Sequence, residues 1–252
     1  MTLKNEYDAK DEDGNYITDE AGNRVKSTRE SVPFIRTPKC TDVQPIVEFK
    51  WTDGMEQISY YRYKDDEAAF FADWHENDLS YAIIEGSAAT FLVPVKDRDN
   101  VINHNNDRYS FATIDEMLEW YADFVEYYDT MVGLDFYAKE QYNQNVRAKF
   151  FIYANEHGAG LAYYSGDHSA FNGNELADYL LKSWLALHEF GHGYEGALAT
   201  REYSFVETTN NILAYHFQQT FLVEGDYGWL LDFSGNNRDE RWANMELTVE
   251  TS

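Results

Sequence analysis

The chain has 252 residues, of which 45 are acidic and 20 are basic, so its formal charge at pH 7 is −25. A protein this negative repels phosphate groups, which argues against binding to nucleic acids or to anionic membrane surfaces. Its 20 Tyr, 16 Phe and 6 Trp can fill a packed core, and this aromatic content excludes wholesale disorder.

The N-terminal region is polar and contains two similar pieces, 11–19 and 19–27, each with a Gly-Asn turn signal after an acidic pair. This pattern predicts that residues 1–40 are a polar hairpin or linker, or else the end of a preceding module. The spacing of the acidic residues does not fit a calcium-binding EF-hand loop. We expect the folded domain to cover residues 41–252.

The next part of the chain has the pattern of strands. β-branched and aromatic residues in partial alternation predict strands at 45–51 and 55–63, and a short helix is expected at 65–77. Two apolar runs, 81–86 and 89–95, are separated by a turn and predict a hairpin of buried strands. The first half of the chain is therefore expected to be mostly sheet.

The clearest helix is predicted over residues 113–132. Thr113 begins a capping box, apolar residues recur at helical spacing, and Gly133 provides a stop. After a polar connection, residues 146–154 predict another strand. The glycine-rich segment 158–166 is expected to form an edge strand beside a cleft.

A second apolar-periodic stretch, residues 174–196, predicts a buried amphipathic helix that contains an HExxH motif. His188 and His192 are four residues apart and thus lie on one helix face, close enough to share a zinc ion. Glu189 would take a proton from the water that the zinc activates and pass it to the leaving amine.

A catalytic zinc site of this kind needs a third protein ligand. Because the chain has a single cysteine, that ligand must be a histidine or a carboxylate. A helix predicted at 205–221 supplies Glu207 at its start, where the helix dipole favours an acid. Glu195 and Glu202 compete for this role. Position 198 is Leu198, not the third histidine of the metzincin pattern.

Four more residues are candidates near such a centre. Asn211 lies one helical turn after Glu207 and could accept the outer N–H of a ligating histidine. Tyr163, Tyr164 or His168, in the expected edge-strand region, could stabilise the oxyanion of the tetrahedral intermediate. Ordinary surface or core roles are the simpler interpretation of these three.

Five segments, in this order along the chain, resemble the catalytic domain of the enhancin and enhancin-like metallopeptidases, the M-sixty peptidase family. The segments are 81–95, 113–135, 159–171, 183–196 and 206–218. The resemblance extends from about Ile58 to Gln219. The family pattern places a glutamate after the second histidine of HExxH, and Glu207 takes that position.

The resemblance implies a gluzincin, a zinc endopeptidase or glycopeptidase often directed at mucins and other O-glycosylated proteins. It implies that Zn²⁺ is held by His188, His192 and Glu207, with Glu189 as the general base. It also implies a secreted or cell-surface protein, although this chain has no signal peptide at its start. Because family members usually have a larger helical C-terminal part, we expect this chain to be a truncated piece of a longer protein.

We therefore expect an α+β, zincin-like fold, with a twisted mixed sheet, an HExxH helix and a helical C-terminal part. The expected function is zinc-dependent hydrolysis of peptide bonds in mucin-type O-glycosylated proteins. One alternative is a non-catalytic zincin-like adhesin module, which has no evident need for Glu189; another is a zinc amidase acting on cell-wall peptide. No membrane insertion is expected, since no apolar run approaches the roughly 20 residues that span a bilayer.

Overall fold

The structure is a computed structural model of the chain. It describes residues 3–11, 15–32, 57–104, 109–135, 137–145, 149–155, 160–166, 168–197 and 207–221, together with the single residues 34, 46, 48 and 158. Of the strand predicted at 45–51, only residues 46 and 48 are described. The first two residues of the helix predicted at 205–221 also lie outside the described residues.

The N-terminal residues form a hairpin. In it, β1 (Leu3–Asp8) pairs antiparallel with β2 (Lys26–Ser31). The acidic residue that opens each sequence repeat, Asp11 or Asp19, accepts a hydrogen bond of 2.8 Å from the backbone N–H four residues later. Aspartate side chains that bond their own backbone in this way stabilise tight turns, and the described ends of both repeats make the same bond.

Six more of the described strands form one mixed sheet. They are β3 (Ser59–Arg62), β4 (Tyr81–Glu85), β5 (Ala89–Pro94), β6 (Phe150–Asn155), β7 (Ala162–Ser165) and β8 (His168–Asn172). Their order is β3-β4-β5-β6-β8-β7, with β4–β5 and β7–β8 antiparallel and the other neighbours parallel. The hairpin of β4 and β5 is as predicted, and β7 lies at an edge of the sheet.

The described α-helices are α1 (Glu67–Glu76), α2 (Ile114–Val132), α3 (Trp184–Gly191) and α4 (Thr209–Phe221). The first three are capped by the side chains of Asp66, Thr113 and Ser183, which accept hydrogen bonds from the first turn. The helix α2 ends at Gly133, whose φ of 77° suits a residue without Cβ. Among the described residues, no helix is long and apolar enough to cross a membrane.

The helices α1, α2 and α3 pack on one face of the sheet. The strand register places Tyr61, Ile84, Phe91 and Ile152 side by side on this face, and each is at most 2% exposed. Phe91 meets Tyr121 of α2 edge to face, with ring centroids 4.9 Å apart. The fold is therefore an α+β structure with a core between the helices and one side of a mixed sheet, as predicted.

The helix α4 packs on α2 and α3. Its Phe217 contacts Trp120 and Phe124 of α2, with ring centroids 6.1 and 5.9 Å apart. Leu213 and Ala214 on the same helix are also buried. Because these residues are three and four residues apart, they form one apolar stripe that packs the helix against its neighbours.

The helix predicted over 174–196 is wrong in its extent. Residues Ala177–Leu180 form a short 3₁₀ turn, and α3 begins only after Ser183. The physical reason is a tertiary contact, since Leu181 is extended and forms a β-bridge with Ser110, and the backbone N–H of Lys182 donates a hydrogen bond of 2.9 Å to the carbonyl oxygen of Tyr109. These backbone contacts interrupt the helix that the apolar periodicity alone favours. At the start of the 3₁₀ turn, the buried carboxylate of Asp97 accepts a hydrogen bond of 2.6 Å from the backbone N–H of Leu176.

Candidate metal centre

The helix α3 carries the first histidine of the HExxH motif, and His192 follows at its end. Phe190 packs on Phe150 of β6 with ring centroids 4.4 Å apart, which holds the helix against the sheet. His188 and Glu189 are 8% and 6% exposed. After α3 the chain continues as a tighter 3₁₀ turn over His192–Ala197.

Gly191, between the two histidines, allows α4 to approach α3 closely. A Cβ atom at position 191 would lie 2.6 Å from the Cα atom and 2.7 Å from the Cβ atom of Asn210. Both distances are too short for nonbonded carbon atoms, so this position requires glycine at the observed helix separation. The close contact brings the start of α4, and Glu207 just before it, to the histidines.

One potential ligand atom from each of His188, His192 and Glu207 lies within 4.8 Å of the others. Glu207 Oε2 is 3.0 Å from His188 Nε2, and Glu207 Oε1 is 3.6 Å from His192 Nε2. Tetrahedral zinc ligands lie roughly 3.4 Å from one another, so this spacing fits a common ion. Glu207 has a φ of 66° and precedes α4, whereas its position in the sequence suggested the first turn of a helix.

The outer ring nitrogen of each histidine faces an oxygen atom. His188 Nδ1 is 3.1 Å from Asn211 Oδ1, and His192 Nδ1 is 2.5 Å from Glu195 Oε1. An acceptor at Nδ1 keeps the proton there and leaves the lone pair on Nε2, the atom that would bind a metal, so the set of donors fits zinc. Glu195 faces the wrong nitrogen to be the third ligand, and Glu202 lies outside the described residues.

Asn210 is a fully buried polar residue of the site that was not singled out from the sequence. Its Nδ2 is 3.2 Å from His188 Nε2 and 3.0 Å from His192 Nε2. Its Oδ1 accepts a hydrogen bond of 2.8 Å from the backbone N–H of Asn211. A signal was available, because Asn210 precedes the apolar Leu213 by three residues and therefore shares its buried helix face.

Burial shifts the pKa values of two residues in the motif. Burial raises the pKa of Glu189 to about 7, against the opposing effect of His192. A carboxyl group with a pKa near neutrality can both accept and release a proton, as a general base that later acts as an acid must. Burial also lowers the pKa of His188, which favours the neutral imidazole that a metal requires.

The strand register separates the three residues considered for oxyanion stabilisation. Tyr164 is on the helix-covered face of the sheet, where a Cβ at Gly193 would lie 3.1 Å from its hydroxyl oxygen. Tyr163 and His168 lie on the opposite face, and the Tyr163 hydroxyl accepts a hydrogen bond of 2.9 Å from Asn155. This placement argues against an oxyanion role for Tyr163 and His168, while that role for Tyr164 stays a prediction.

Solved structures with a similar fold define the class of this domain. The catalytic module of the metalloprotease ZmpA from Clostridium perfringens aligns with a TM-score of 0.53 at 18% identity, over 67% of this chain and 34% of that chain. The M60 catalytic domain of ZmpC from the same bacterium was solved in complex with the sialyl T antigen. It aligns with a TM-score of 0.50 at 14% identity, over 67% of this chain and 34% of that chain. The chain therefore has the α+β fold of M60 catalytic domains.

The sequence comparisons show the family. The model described as peptidase M60, enhancin and enhancin-like, matches residues 54–251, so the chain belongs to this family. The viral-enhancing factor of Pseudalatia unipuncta granulosis virus is 25% identical over 235 residues, which cover 90% of this chain and 25% of that protein. The viral-enhancing factor of Trichoplusia ni granulosis virus is 26% identical over 196 residues, which cover 73% of this chain and 20% of that protein. The chain spans a quarter or less of the length of these relatives.

Proposed function

We propose that this chain is the catalytic part of a zinc-dependent endopeptidase of the gluzincin type. His188, His192 and Glu207 would hold the zinc ion, and Glu189 would be the general base. The observation that carries this proposal is the convergence of three ligand atoms within 4.8 Å next to a buried carboxylate. Membership of a peptidase family supports it independently.

The side chains around the centre have separate tasks in peptide hydrolysis. When bound, zinc would supply a Lewis acid that polarises the scissile carbonyl and makes water more acidic. Glu189 Oε2 is 4.0 Å from His192 Nε2, beyond hydrogen-bond distance, so the carboxylate can accept the proton of the attacking water. Because burial raises the pKa of Glu189, the carboxyl group can hold this proton and release it to the leaving amine.

The substrate backbone would add to the sheet as a strand beside β7. This strand is at an edge of the sheet and contacts α3, so a peptide on its outer side would lie near the histidines. Strand addition uses backbone hydrogen bonds, which are the same in every sequence, and leaves specificity to side chains. Tyr164, on the helix-covered face of β7, would be the residue that stabilises the oxyanion.

The proposed substrates are mucin-type O-glycosylated proteins. The complex of the ZmpC catalytic domain with the sialyl T antigen supports a glycan as part of what is recognised. The match to viral-enhancing factors several times the length of this chain supports a role as one part of a larger polypeptide. We infer that this polypeptide is secreted or displayed at a cell surface, where such substrates occur.

A hydrolysis assay tests this function. The chain would be incubated with O-glycosylated mucin, deglycosylated mucin and peptidoglycan, with and without a zinc chelator. We expect cleavage of peptide bonds in glycosylated mucin that the chelator abolishes. His188→Ala should be inactive, while His75→Ala, which changes an exposed histidine of α1, should retain activity.

The alternatives give different results in the same assay. Zinc-dependent release from peptidoglycan alone would favour a cell-wall amidase. Mucin binding without release of peptide would favour a non-catalytic adhesin module. Mucin cleavage that continues at full rate in the chelator would contradict a metal-dependent mechanism.

A further inference from the structure

The turn that follows the HExxH motif places Glu195 against His192. In the 3₁₀ turn His192–Ala197, side chains three residues apart lie above one another. Glu195 Oε1 is accordingly 2.5 Å from His192 Nδ1, and the two side chains are 22% and 15% exposed. A continued α-helix would leave the two positions offset by roughly 60° around the axis, so the change of helix type favours this contact.

The two histidines have chemically different partners at their outer nitrogens. His188 faces the neutral amide of Asn211 at 3.1 Å, whereas His192 faces a carboxylate at 2.5 Å. Asn211 also donates a hydrogen bond to the backbone oxygen of Glu207, so it belongs to the segment that supplies the third proposed ligand. Since hydrogen bonds with a charged partner are roughly twice as strong as neutral ones, Glu195 restrains its histidine more firmly.

We propose that Glu195 is a positioning residue that orients His192 for zinc. The inference rests on the proposed function, because it takes His192 as a zinc ligand. The carboxylate holds a proton on Nδ1 and thereby directs the lone pair of Nε2 toward Glu207, whose Oε1 is 3.6 Å away. It would also place a negative charge near a bound cation without being a ligand, since it lies on the Nδ1 side of the ring.

Zinc affinity, measured by competition with a chelator, gives the first test. Removal of an acceptor behind a ligating histidine typically weakens metal binding 10–100-fold, and we expect a loss of about this size for Glu195→Ala. Glu195→Gln keeps an oxygen at the same distance and should recover part of the affinity. Glu76→Gln removes an exposed carboxylate of α1 and should bind zinc like the unchanged chain.

Nitrogen NMR of the imidazoles in the zinc-free protein gives a second test that needs neither zinc nor hydrolysis. We expect His192 to carry its proton on Nδ1 in the unchanged chain and in Glu195→Gln, and to mix both tautomers in Glu195→Ala. The tautomer of His188 should stay the same in all three, whereas a general loss of structure would change both histidines.

The outcomes separate the two proposals. Unchanged zinc affinity together with an unchanged His192 tautomer in Glu195→Ala would overturn the role of Glu195. Failure of the unchanged chain to hydrolyse any substrate would overturn the proposed function. In that case a shift of the His192 tautomer in Glu195→Ala would still support the positioning of this ring by Glu195.

Discussion

Glu189 and Glu207 are carboxylates of one site, but their surroundings differ. The side chain of Glu189 is 8% exposed and that of Glu207 is 63% exposed. Removal from water disfavours the charged form, so burial raises the pKa of Glu189 to about 7. Burial of one carboxylate and exposure of the other thus separate the proposed proton acceptor from the proposed metal ligand, which are the same residue type.

Substitution of Glu189 tests its role as the base. Glu189→Gln has nearly the same shape but cannot accept a proton, and all three proposed ligands remain. We expect kcat to fall roughly 10²–10⁴-fold, while metal analysis finds the zinc content unchanged. Glu140→Gln, at an exposed position, is the matched control. Normal turnover in Glu189→Gln would mean that another group activates the water.

Asp97 links stability to pH away from the centre. Its side chain is buried, and this burial raises its pKa. The folded state therefore binds this proton more tightly than the unfolded state, so Asp97 favours folding at low pH. That contribution is lost as the pH rises through the raised pKa. Asp97→Asn removes this dependence and keeps an oxygen for the N–H of Leu176.

We therefore compare the melting temperature of Asp97→Asn with that of the unchanged chain. The difference, variant minus unchanged chain, should increase when the pH is raised from about 4 to about 7. Calorimetry at both pH values measures the difference. Asp97→Ala, which also removes the acceptor for Leu176, should be less stable at both, by roughly 1–3 kcal/mol. A difference for Asp97→Asn that is independent of pH would contradict the assigned shift.

At the scale of secondary-structure elements, the contact between α3 and α4 determines the geometry of the centre. Gly191→Ala would place a methyl group against the backbone of Asn210 and force the helices apart. We expect a loss of roughly 1–3 kcal/mol in the free energy of unfolding, together with weaker zinc binding. Gly196→Ala is the control, since nothing lies within 4 Å of a Cβ there.

Denaturant unfolding and chelator competition measure the two effects of Gly191→Ala. Equal stability and equal zinc affinity in both glycine variants would show that the helix separation is not critical. If Gly191→Ala reduced the zinc affinity but not the free energy of unfolding, the substitution would change only the geometry of the centre.

Elements defined by local signals could be predicted from the sequence, while those defined by distant contacts could not. The helix α2 has Thr113 and Gly133 as caps within its own segment, and both its ends are as predicted. The late start of α3 depends on the backbone contacts of Leu181 and Lys182 with residues 109–110, which belong to another segment. The strand β8 has a mixed polar sequence and gains its pairing from β6 and β7 on its two sides.

The same distinction applies to the site. The spacing of His188 and His192 on one helix could be predicted, because helical geometry is local. Glu207 could be proposed from its place near the start of a predicted helix and from the family pattern, but its approach to the histidines could not, since it depends on the packing of α4. The contact of Glu195 with His192 was not foreseen, because it requires the 3₁₀ turn that replaces the expected helix.

At the scale of the whole molecule, the charge of −25 opposes the approach of anionic substrates. Sialylated mucin, which belongs to the proposed substrate class, is anionic. Salt shortens the range of this repulsion from about 30 Å at 0.01 M to about 8 Å at 0.15 M. We expect kcat/KM for sialylated mucin to rise over this range, and that for desialylated mucin to change little. A fall with salt would indicate cationic groups that bind the glycan directly.

The proposed ligands come from two segments, with fourteen residues between His192 and Glu207. An ion bound by both would be a reversible cross-link that must be released before α3 and α4 can separate. At a free zinc concentration of a thousand times Kd, this linkage would add about 4.1 kcal/mol to the stability of the folded state. Limited proteolysis should therefore digest the metal-free chain faster. The cation proposed for the hydrolysis of other proteins would then also protect this chain from digestion.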